Sequence, residues 1–474
     1  MKKLLLVPLV AALAACAGMD RDPSEHVQAV DAAQLGMSLD EVQWPARQWW
    51  HRYGDGQLNA LVDEAVAGSP SIAMAQARLA RAEAAAGTVR ANGLPQVDAT
   101  FTATRQRYTE HGIVPAPLAG AVRTDARLAL NVGYDFDFWD KNGAQLHAAL
   151  SEGRAAQAER QAAASLLAAS VGTAYFNLQR LFAQGEVLRS AIDQRNGVVE
   201  LTRQRYASGL DTQVEVKQAE SALAEARTQL AQVDEGVALQ RNALAALVGR
   251  GPERGVSLQP VKLAAPAAAV PDSVPLSLLG RRADIVAARW RVESARGSVD
   301  AAKAMFYPDV NLAGFIGTSA LGLSNLFRSG SQIVGVGPAI TLPIFEGGRL
   351  NANLTGRQAD ADLAIATYNQ TVLHAVNEVA DALASIRALE RESAEQRKAR
   401  EAIEQAYELA VKRYRAGLGN YLSVLAAQGS VLAQSRLDAD LKARALTLDV
   451  ALAKALGGGA DLSASQPAPL AAGG

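Results

Sequence analysis

The chain contains the same unit twice, and this duplication constrains its fold more than any other feature of the sequence. A motif at Tyr206 and Gly209 recurs at Tyr414 and Gly417, and an arginine precedes each tyrosine. Apolar residues around the motif also recur in the same order in both halves, at a spacing that drifts slowly along the chain. Such drift is typical of a duplication whose loops have changed in length. The sequence therefore predicts two copies of one structural unit.

The two copies are separated and followed by segments of different composition. We predict a first repeat over 56–250 and a second over 278–457. Residues 251–277 between them are rich in proline, which is typical of a linker. Residues 458–474 are mostly Gly, Ala, Ser and Pro, a composition that predicts a flexible tail.

Two segments in each half alternate between apolar and polar residues. They cover 97–104 and 127–138 in the first half, and the more glycine-rich 309–317 and 334–344 in the second. Alternation with a period of two predicts strands that have one apolar face and one polar face. We therefore predict one pair of strands in each repeat.

The rest of each repeat has the period of an α-helix. Residues 57–92 and 284–306 are predicted to be helical. After the first strand pair, 167–199 and 219–247 have a heptad pattern that is typical of a coiled coil. A single helix over 145–207 would be about 95 Å long. Because Gly209 and Gly417 interrupt the pattern, we predict that the chain reverses there into a long helical hairpin.

Four strands per chain are too few to close a membrane barrel, so a barrel would need strands from more than one chain. In hydrocarbon every backbone polar group must be paired, so a sheet that spans a membrane must close on itself. The smallest such barrels have about eight strands. Two chains would supply this number around a nearly filled interior, whereas three chains would leave a lumen. The apolar strand faces would meet lipid, and the polar faces would meet water.

The first residues of the chain predict export. Lys2 and Lys3 precede an apolar run that is too short to cross a bilayer of about 30 Å. Residues 1–15 are therefore predicted to be a signal peptide that is removed from the mature chain.

The chain's only cysteine, Cys16, follows the small residues Ala14 and Ala15. This segment resembles the lipobox of bacterial lipoproteins, in which the cysteine is acylated and becomes the N-terminus. An ordinary signal-peptidase site with an incidental cysteine is the alternative. The spacing favours lipidation, which would make 16–55 a lipidated N-terminal extension. Ala17 in place of aspartate points, by resemblance to sorted lipoproteins, to the outer membrane.

The composition excludes several classes of function. Lys plus Arg number 47 and Asp plus Glu number 48, so a net charge of −1 gives no basic face for a nucleic acid. One cysteine and five widely separated histidines predict no metal site. The sequence has no phosphate-binding glycine loop and no nucleophile elbow, so we expect neither catalysis nor a cofactor. Acidic residues of the long helices, such as Glu378 and Glu408, are interpreted as solvated helix faces.

Three further motifs occur in order along the chain. They are Trp49-Trp50-His51-Arg52-Tyr53-Gly54-Asp55 before the first repeat, Arg281-Arg282-Ala283-Asp284-Ile285 at the start of the second, and Leu342-Pro343-Ile344-Phe345-Glu346-Gly347-Gly348-Arg349 after its strands. Together with the two hairpin turns, they resemble the motifs of the outer-membrane efflux factor family, the TolC-like and lipidated exit ducts of tripartite pumps. The chain departs from that pattern at Ala283, where proline is usual.

This resemblance implies a mixed α/β membrane channel. Four strands from each chain of a homotrimer would form a twelve-stranded barrel, continued across the periplasm by an α-helical coiled-coil tunnel. The implied partners are a periplasmic membrane-fusion adaptor, an inner-membrane transporter and outer-membrane lipid. The expected function is the passive exit of drugs or other small solutes. An exit duct for type I protein secretion is the alternative, and a coiled-coil lipoprotein without a channel is a more distant one.

The resemblance also places the two hairpin turns at the periplasmic tip that contacts the adaptor. The residues concerned are Arg205, Tyr206, Gly209 and Leu210 in the first turn, and Arg413, Tyr414, Gly417 and Leu418 in the second.

The family closes at this tip, so the tip also supplies the candidate gate residues. They are Asp211, Glu215, Leu418, Tyr421 and Leu422. The family often has a ring of aspartates at the positions that Ser423 and Ala426 occupy in this chain. In place of a charged ring, we therefore hypothesise that the second hairpin forms an apolar constriction that resists wetting. Ordinary helix packing at a turn is the alternative interpretation of the same residues.

Overall fold

The computed structural model describes residues 27–30, 35, 37, 44–262, 278–460 and 462. The predicted signal peptide and Cys16 lie outside these residues, as do the second half of the predicted linker and most of the predicted tail. The long elements are α1 (Gly56–Gly68), α2 (Pro70–Asn92), β1 (Gln96–Arg107), β2 (Val122–Phe136), α3 (Lys141–Ala207), α4 (Gln213–Leu247), α5 (Ala283–Ala304), β3 (Asp309–Leu321), β4 (Gln332–Thr341), α6 (Arg349–Arg415) and α7 (Tyr421–Ala455).

The four predicted strands are confirmed, and they form one antiparallel sheet in the order β1-β2-β3-β4. The register aligns apolar residues across the sheet, for example Leu130 opposite both Ala99 and Ile316. Most of the predicted bounds are wrong. β1, the start of β2, the end of β3 and the start of β4 extend beyond the predictions, whereas β2 ends early at Phe136 and β4 ends early at Thr341. The chain turns there toward the following helices.

The junction between β2 and α3 is joined to the junction between α5 and β3 by an aromatic contact. The ring of Trp139, which follows β2, stacks on Tyr307 with centroids 4.7 Å apart, and its Nε1 donates to the carbonyl of Pro308 at 2.9 Å. Lys141 forms an ion pair with Asp309 at 3.0 Å. These contacts hold the start of α3 against the start of β3, so the sheet and the helices have a defined relative position.

The long helical hairpins are also confirmed. Helices α3 and α6 each contain 67 residues and are therefore about 100 Å long. Their partners α4 and α7 run back along them, and the predicted heptad seam is largely buried, as at Leu178, Leu188 and Leu244. None of the described helices combines the length and apolarity needed to cross a membrane.

The predicted helix over 57–92 is wrong in one respect, because it is two helices. Ser69 has an extended conformation with ψ 138° and separates α1 from α2. The reason is Pro70, whose ring disfavours a helical conformation in the preceding residue and is itself well placed as the first residue of a helix. The break lets α1 pack its buried face, which includes Leu58 and Leu61, into the core around Trp49.

The interpretation of Glu378 as part of a solvated helix face is corrected by the structure. Glu378 accepts hydrogen bonds from Arg282 at 2.6 Å and from Lys454 at 2.9 Å. The side chain of Arg282 is only 7% exposed, and it also pairs with Asp284 and donates to the carbonyl of Ala455. Burial opposes ionisation of Glu378, but these two cations outweigh it and lower its pKa. Arg282 thus joins α5, α6 and α7.

We predict that Arg282→Ala lowers the free energy of unfolding by about 2 kcal/mol. The substitution removes a buried cation shared by two carboxylates, and these carboxylates remain partly exposed, which limits the loss. Arg281→Ala is the matched control, because among the described residues the neighbouring Arg281 guanidinium only lies over the ring of Trp44, 4.9 Å from its centroid. Thermal unfolding in detergent compares the two variants. Equal melting temperatures would contradict the role given to Arg282.

Candidate functional site at the helical turns

Both helical hairpins reverse through the same glycine-dependent turn. Gly209 and Gly417 have φ angles of +70° and +74°, a left-handed conformation that other residues rarely adopt. In each turn the residue after the glycine donates its backbone N–H to the arginine five residues earlier, as from Leu210 to Arg205 at 2.9 Å. This bond is that of a Schellman helix end. The repeated sequence motif therefore corresponds to a repeated backbone structure.

The helices that leave the turns begin with different caps. Thr212 and Glu215 form a capping box, in which Glu215 accepts from the backbone N–H of Thr212 at 2.8 Å. Asn420 caps α7 by accepting from the backbone N–H of Ser423 at 3.0 Å. The hydrogen bonds from Thr212 lower the pKa of Glu215. Glu215, one of the candidate gate residues, is thus engaged with its own helix start.

The two turns are linked to each other by a cluster of three side chains, Arg205, Asp211 and Tyr414. The guanidinium of Arg205 donates to both carboxylate oxygens of Asp211, at 2.9 and 3.2 Å, and to the carbonyl of Tyr414 at 3.0 Å. The hydroxyl of Tyr414 donates to Asp211. The guanidinium also lies over the Tyr414 ring, 4.5 Å from its centroid. The first hairpin therefore holds the tyrosine of the second.

Charge stabilises this cluster over a defined pH range. Burial opposes ionisation of Asp211, yet the bonds from Arg205 and Tyr414 hold its pKa below the ordinary value. Burial and the Asp211 carboxylate raise the pKa of Tyr414 to about 12. The lowered acid pKa means that the contribution of Asp211 is complete above about pH 4 and is lost as the pH falls. The raised tyrosine pKa means that the contribution of Tyr414 is complete below about pH 10.

The two turns are not equivalent, although their motifs match. Tyr414 is 1% exposed, whereas Tyr206 at the corresponding position of the first hairpin is 49% exposed. The difference follows from Gly419, which stands in the second repeat where the first has Asp211. Without that carboxylate, Arg413 is exposed and no described residue forms an ion pair with it. The replacement of Asp211 by Gly419 at the corresponding position of the second repeat is visible in the sequence and indicates this asymmetry.

The candidate residues for an apolar constriction separate into two kinds. Leu418 and Leu422 are 72% and 62% exposed, so they are available to line an opening or to meet a partner. Tyr421 is 3% exposed and packs against Tyr414 and Val424 inside the chain. The hypothesis that Tyr421 faces a lumen is therefore corrected: its ring belongs to the core of the tip.

The structure also contains a buried arginine above the turns that the sequence analysis did not identify. Arg195 is 7% exposed and donates to the carbonyl of Ala222, and its Nε has no hydrogen-bond partner among the described residues. The heptad pattern lacks its intermediate apolar residue between Ile192 and Val199, and this interruption could have indicated a buried polar residue. In the described part of the chain, no group of three or more His, Cys, Asp or Glu residues is arranged to hold a metal ion.

We predict that Tyr414→Phe increases hydrogen exchange at the backbone amides of Leu210 and Leu418 by about tenfold. The substitution removes the hydroxyl that donates to Asp211, a bond to a charged group worth roughly 1.5 kcal/mol. Tyr206→Phe is the matched control, because it removes a hydroxyl from the corresponding but exposed position. Mass spectrometry of the exchanged chain measures both variants. Similar exchange in the two would show that the cluster does not hold the turns together.

Comparison with known proteins agrees with this architecture. The model of the outer membrane efflux protein family matches residues 61–250 and 274–458. The chain is 35% identical over 463 residues to the multidrug resistance outer membrane protein MdtQ of Escherichia coli O157:H7, covering 95% of this chain and 97% of that protein.

Solved structures show the same fold. The outer membrane protein VceC of Vibrio cholerae is 42% identical, with a TM-score of 0.83 over 87% of this chain and 99% of that one. The outer-membrane channel OprN is 28% identical, with a TM-score of 0.84 over 94% of this chain and 99% of that one. The resemblance inferred from the motifs is thereby confirmed, together with the outer membrane as the location. The chain belongs to the outer membrane efflux protein family.

Proposed function

We propose that this protein is the outer-membrane exit duct of a tripartite efflux pump, through which drugs or other small solutes pass passively from the periplasm to the exterior. The observation that carries the proposal is the combination, in one chain, of an amphipathic four-stranded sheet with two helical hairpins whose longer helices are each about 100 Å long. The name of its relative MdtQ, a multidrug resistance protein, supports solutes rather than secreted proteins as the cargo.

A closed ring of copies would pair the edge strands of the sheet, and we propose that the ring is a homotrimer. In the described chain, β1 and β4 each pair along one edge only. An unpaired edge is unfavourable in hydrocarbon, so we propose that β1 of one copy pairs with β4 of the next. Three copies would close a barrel of twelve strands that is wide enough for a lumen. The exposed apolar residues Val334, Val336 and Ile340 would then face lipid.

The helical hairpins would extend this duct toward its partners. Helices about 100 Å long reach far beyond the membrane, and the exposed turn residues Tyr206, Leu210, Arg413 and Leu418 would meet a periplasmic adaptor. The transport energy would come from the inner-membrane transporter. In the closed state, we propose that the exposed Leu418 and Leu422 narrow the opening as an apolar gate.

A lipid on Cys16 would add a second anchor to the membrane. The backbone N–H groups of Val27 and Val30 donate to Asp362 and Asn369, so this segment follows α6 toward its N-terminal, sheet-proximal end. Asp362 lies about 20 Å from Arg349, the first residue of α6. The chain from Cys16 to Val27 can extend up to about 35 Å. An acylated Cys16 therefore has sufficient reach to insert in the inner leaflet.

We predict that Cys16→Ser abolishes the incorporation of labelled palmitate into the protein. Cys16 is the only cysteine, so no other thiol can accept the acyl chain. Ala17→Ser is the control, since it changes the adjacent residue but keeps the thiol. Label retained by the Cys16→Ser protein would refute the anchor.

We further predict that the detergent-solubilised protein sediments as a trimer and conducts ions after reconstitution in a planar bilayer. Deletion of its gene should raise the sensitivity of the cell to drugs without loss of a secreted protein. A predominant folded monomer in analytical ultracentrifugation would refute the assembly. If the deletion left drug sensitivity normal but abolished export of a secreted protein, the function would be type I secretion and not efflux.

A further inference from the structure

One aromatic side chain lies on the otherwise polar face of the sheet. Side chains alternate along each strand, and the register places Phe315 in one row with Asp98 on β1, Asn131 on β2 and Gly335 on β4. Within the four described strands, Phe315 is the one aromatic residue on this face. The opposite face carries the other strand aromatics, as Phe101 and Tyr134 show.

The neighbouring strand β4 has a glycine, Gly335, at the position next to this ring. A Cβ atom added to Gly335 would lie 2.6 Å from Cζ of Phe315 and 2.7 Å from Cε1, so any larger residue would displace the ring. The far edge of the Phe315 ring thus lies close against Gly335 of β4. Phe315 remains 36% exposed, so part of the ring is accessible to a solute.

A guanidinium group covers part of this ring. The Cζ atom of Arg127 lies 4.9 Å from the centroid of Phe315, at the distance of a cation–π contact. The register places Ala129 and Gly317 between the two residues on this face, and these small residues leave a path for the long arginine side chain. Gly317 must be small, since a Cβ atom there would lie 2.6 Å from the Cα atom of Ala129.

The hydrogen-bond donors of Arg127 are not occupied by a carboxylate. Asp98, in the same row as Phe315, is bound instead by the side-chain amide of Asn131 at 2.9 Å. Among the described residues, no acidic group lies within 4.0 Å of the Arg127 guanidinium, although Asp125 is on the same face of the same strand. The guanidinium is thus oriented by an aromatic ring and keeps its N–H groups for another acceptor.

We propose that Phe315 and Arg127 form a binding site for aromatic anions in the wall of the duct. The proposal rests on the proposed trimer, in which the polar face lines the lumen and the site occurs three times around it. The ring of Phe315 would stack with the aromatic part of the solute, and the planar guanidinium would donate to its carboxylate or sulfonate group. Such a site holds the solute weakly, as a passive duct requires, and favours anions over cations at this depth.

The test uses naphthalene-2-sulfonate as the probe and the detergent-solubilised full-length protein. Isothermal titration measures binding without the need for an open tip. We expect Arg127→Gln to weaken binding by about tenfold and Phe315→Leu by about fivefold, because each removes one of the two contacts. Arg105→Gln is the matched control: it removes the same charge from β1, on the opposite face of the sheet, and should leave binding unchanged. Arg127→Lys keeps the charge without the planar fork and should bind about threefold more weakly than the wild type.

Single-channel recording separates this site from the function on which it rests. The probe, added to the extracellular side, should reduce the wild-type current, and Arg127→Gln should relieve the reduction. Conductance without binding of the probe would overturn the site and leave the duct. A trimer that binds the probe but never conducts would overturn the duct. An equal loss of binding in Arg105→Gln would show a general charge effect and would overturn the site as well.

Discussion

Backbone hydrogen bonding within the sheet is the constraint on which the rest of this structure depends. A strand in hydrocarbon has no water to satisfy its amides, so each must find a partner in protein. Within the described chain, the register pairs the two inner strands on both sides over most of their length and leaves β1 and β4 paired on one side. The clean division into an apolar and a polar face follows from the same register, because one residue of slippage would invert every side chain.

Contacts at the junctions between the sheet and the helices fix the position of the sheet relative to the helices. Trp139 and Lys141 attach the start of α3 to the residues that open β3. Farther along, the buried Arg282 joins three helices through two carboxylates and a carbonyl. A buried charge of this kind is stable only with its partners in place, so it favours one arrangement of the helices over others of similar apolar packing.

The distal turns show how a duplicated sequence produces an asymmetric structure. Both turns use a left-handed glycine and the same closing hydrogen bond. Only the first has a carboxylate beside it, and this carboxylate recruits the tyrosine of the second turn. One tyrosine is consequently buried and one is exposed. A polar contact between the hairpins is sensitive to its surroundings in a way that apolar packing is not, since it depends on charge and on water access.

The sequence alone determined the elements that depend on local periodicity. Four strands, two helical hairpins and the two glycine turns follow from alternation, heptads and backbone conformation, each of which acts over a few neighbouring residues. The tertiary structure decided the rest. The partnership of Arg205 with Tyr414, the burial of Tyr421 and the pairing of Glu378 join residues far apart in the chain. The contact between Phe315 and Gly335 depends on the register of β3 against β4. Such contacts are set by how completed elements pack, and periodicity carries no information about which side chains then meet.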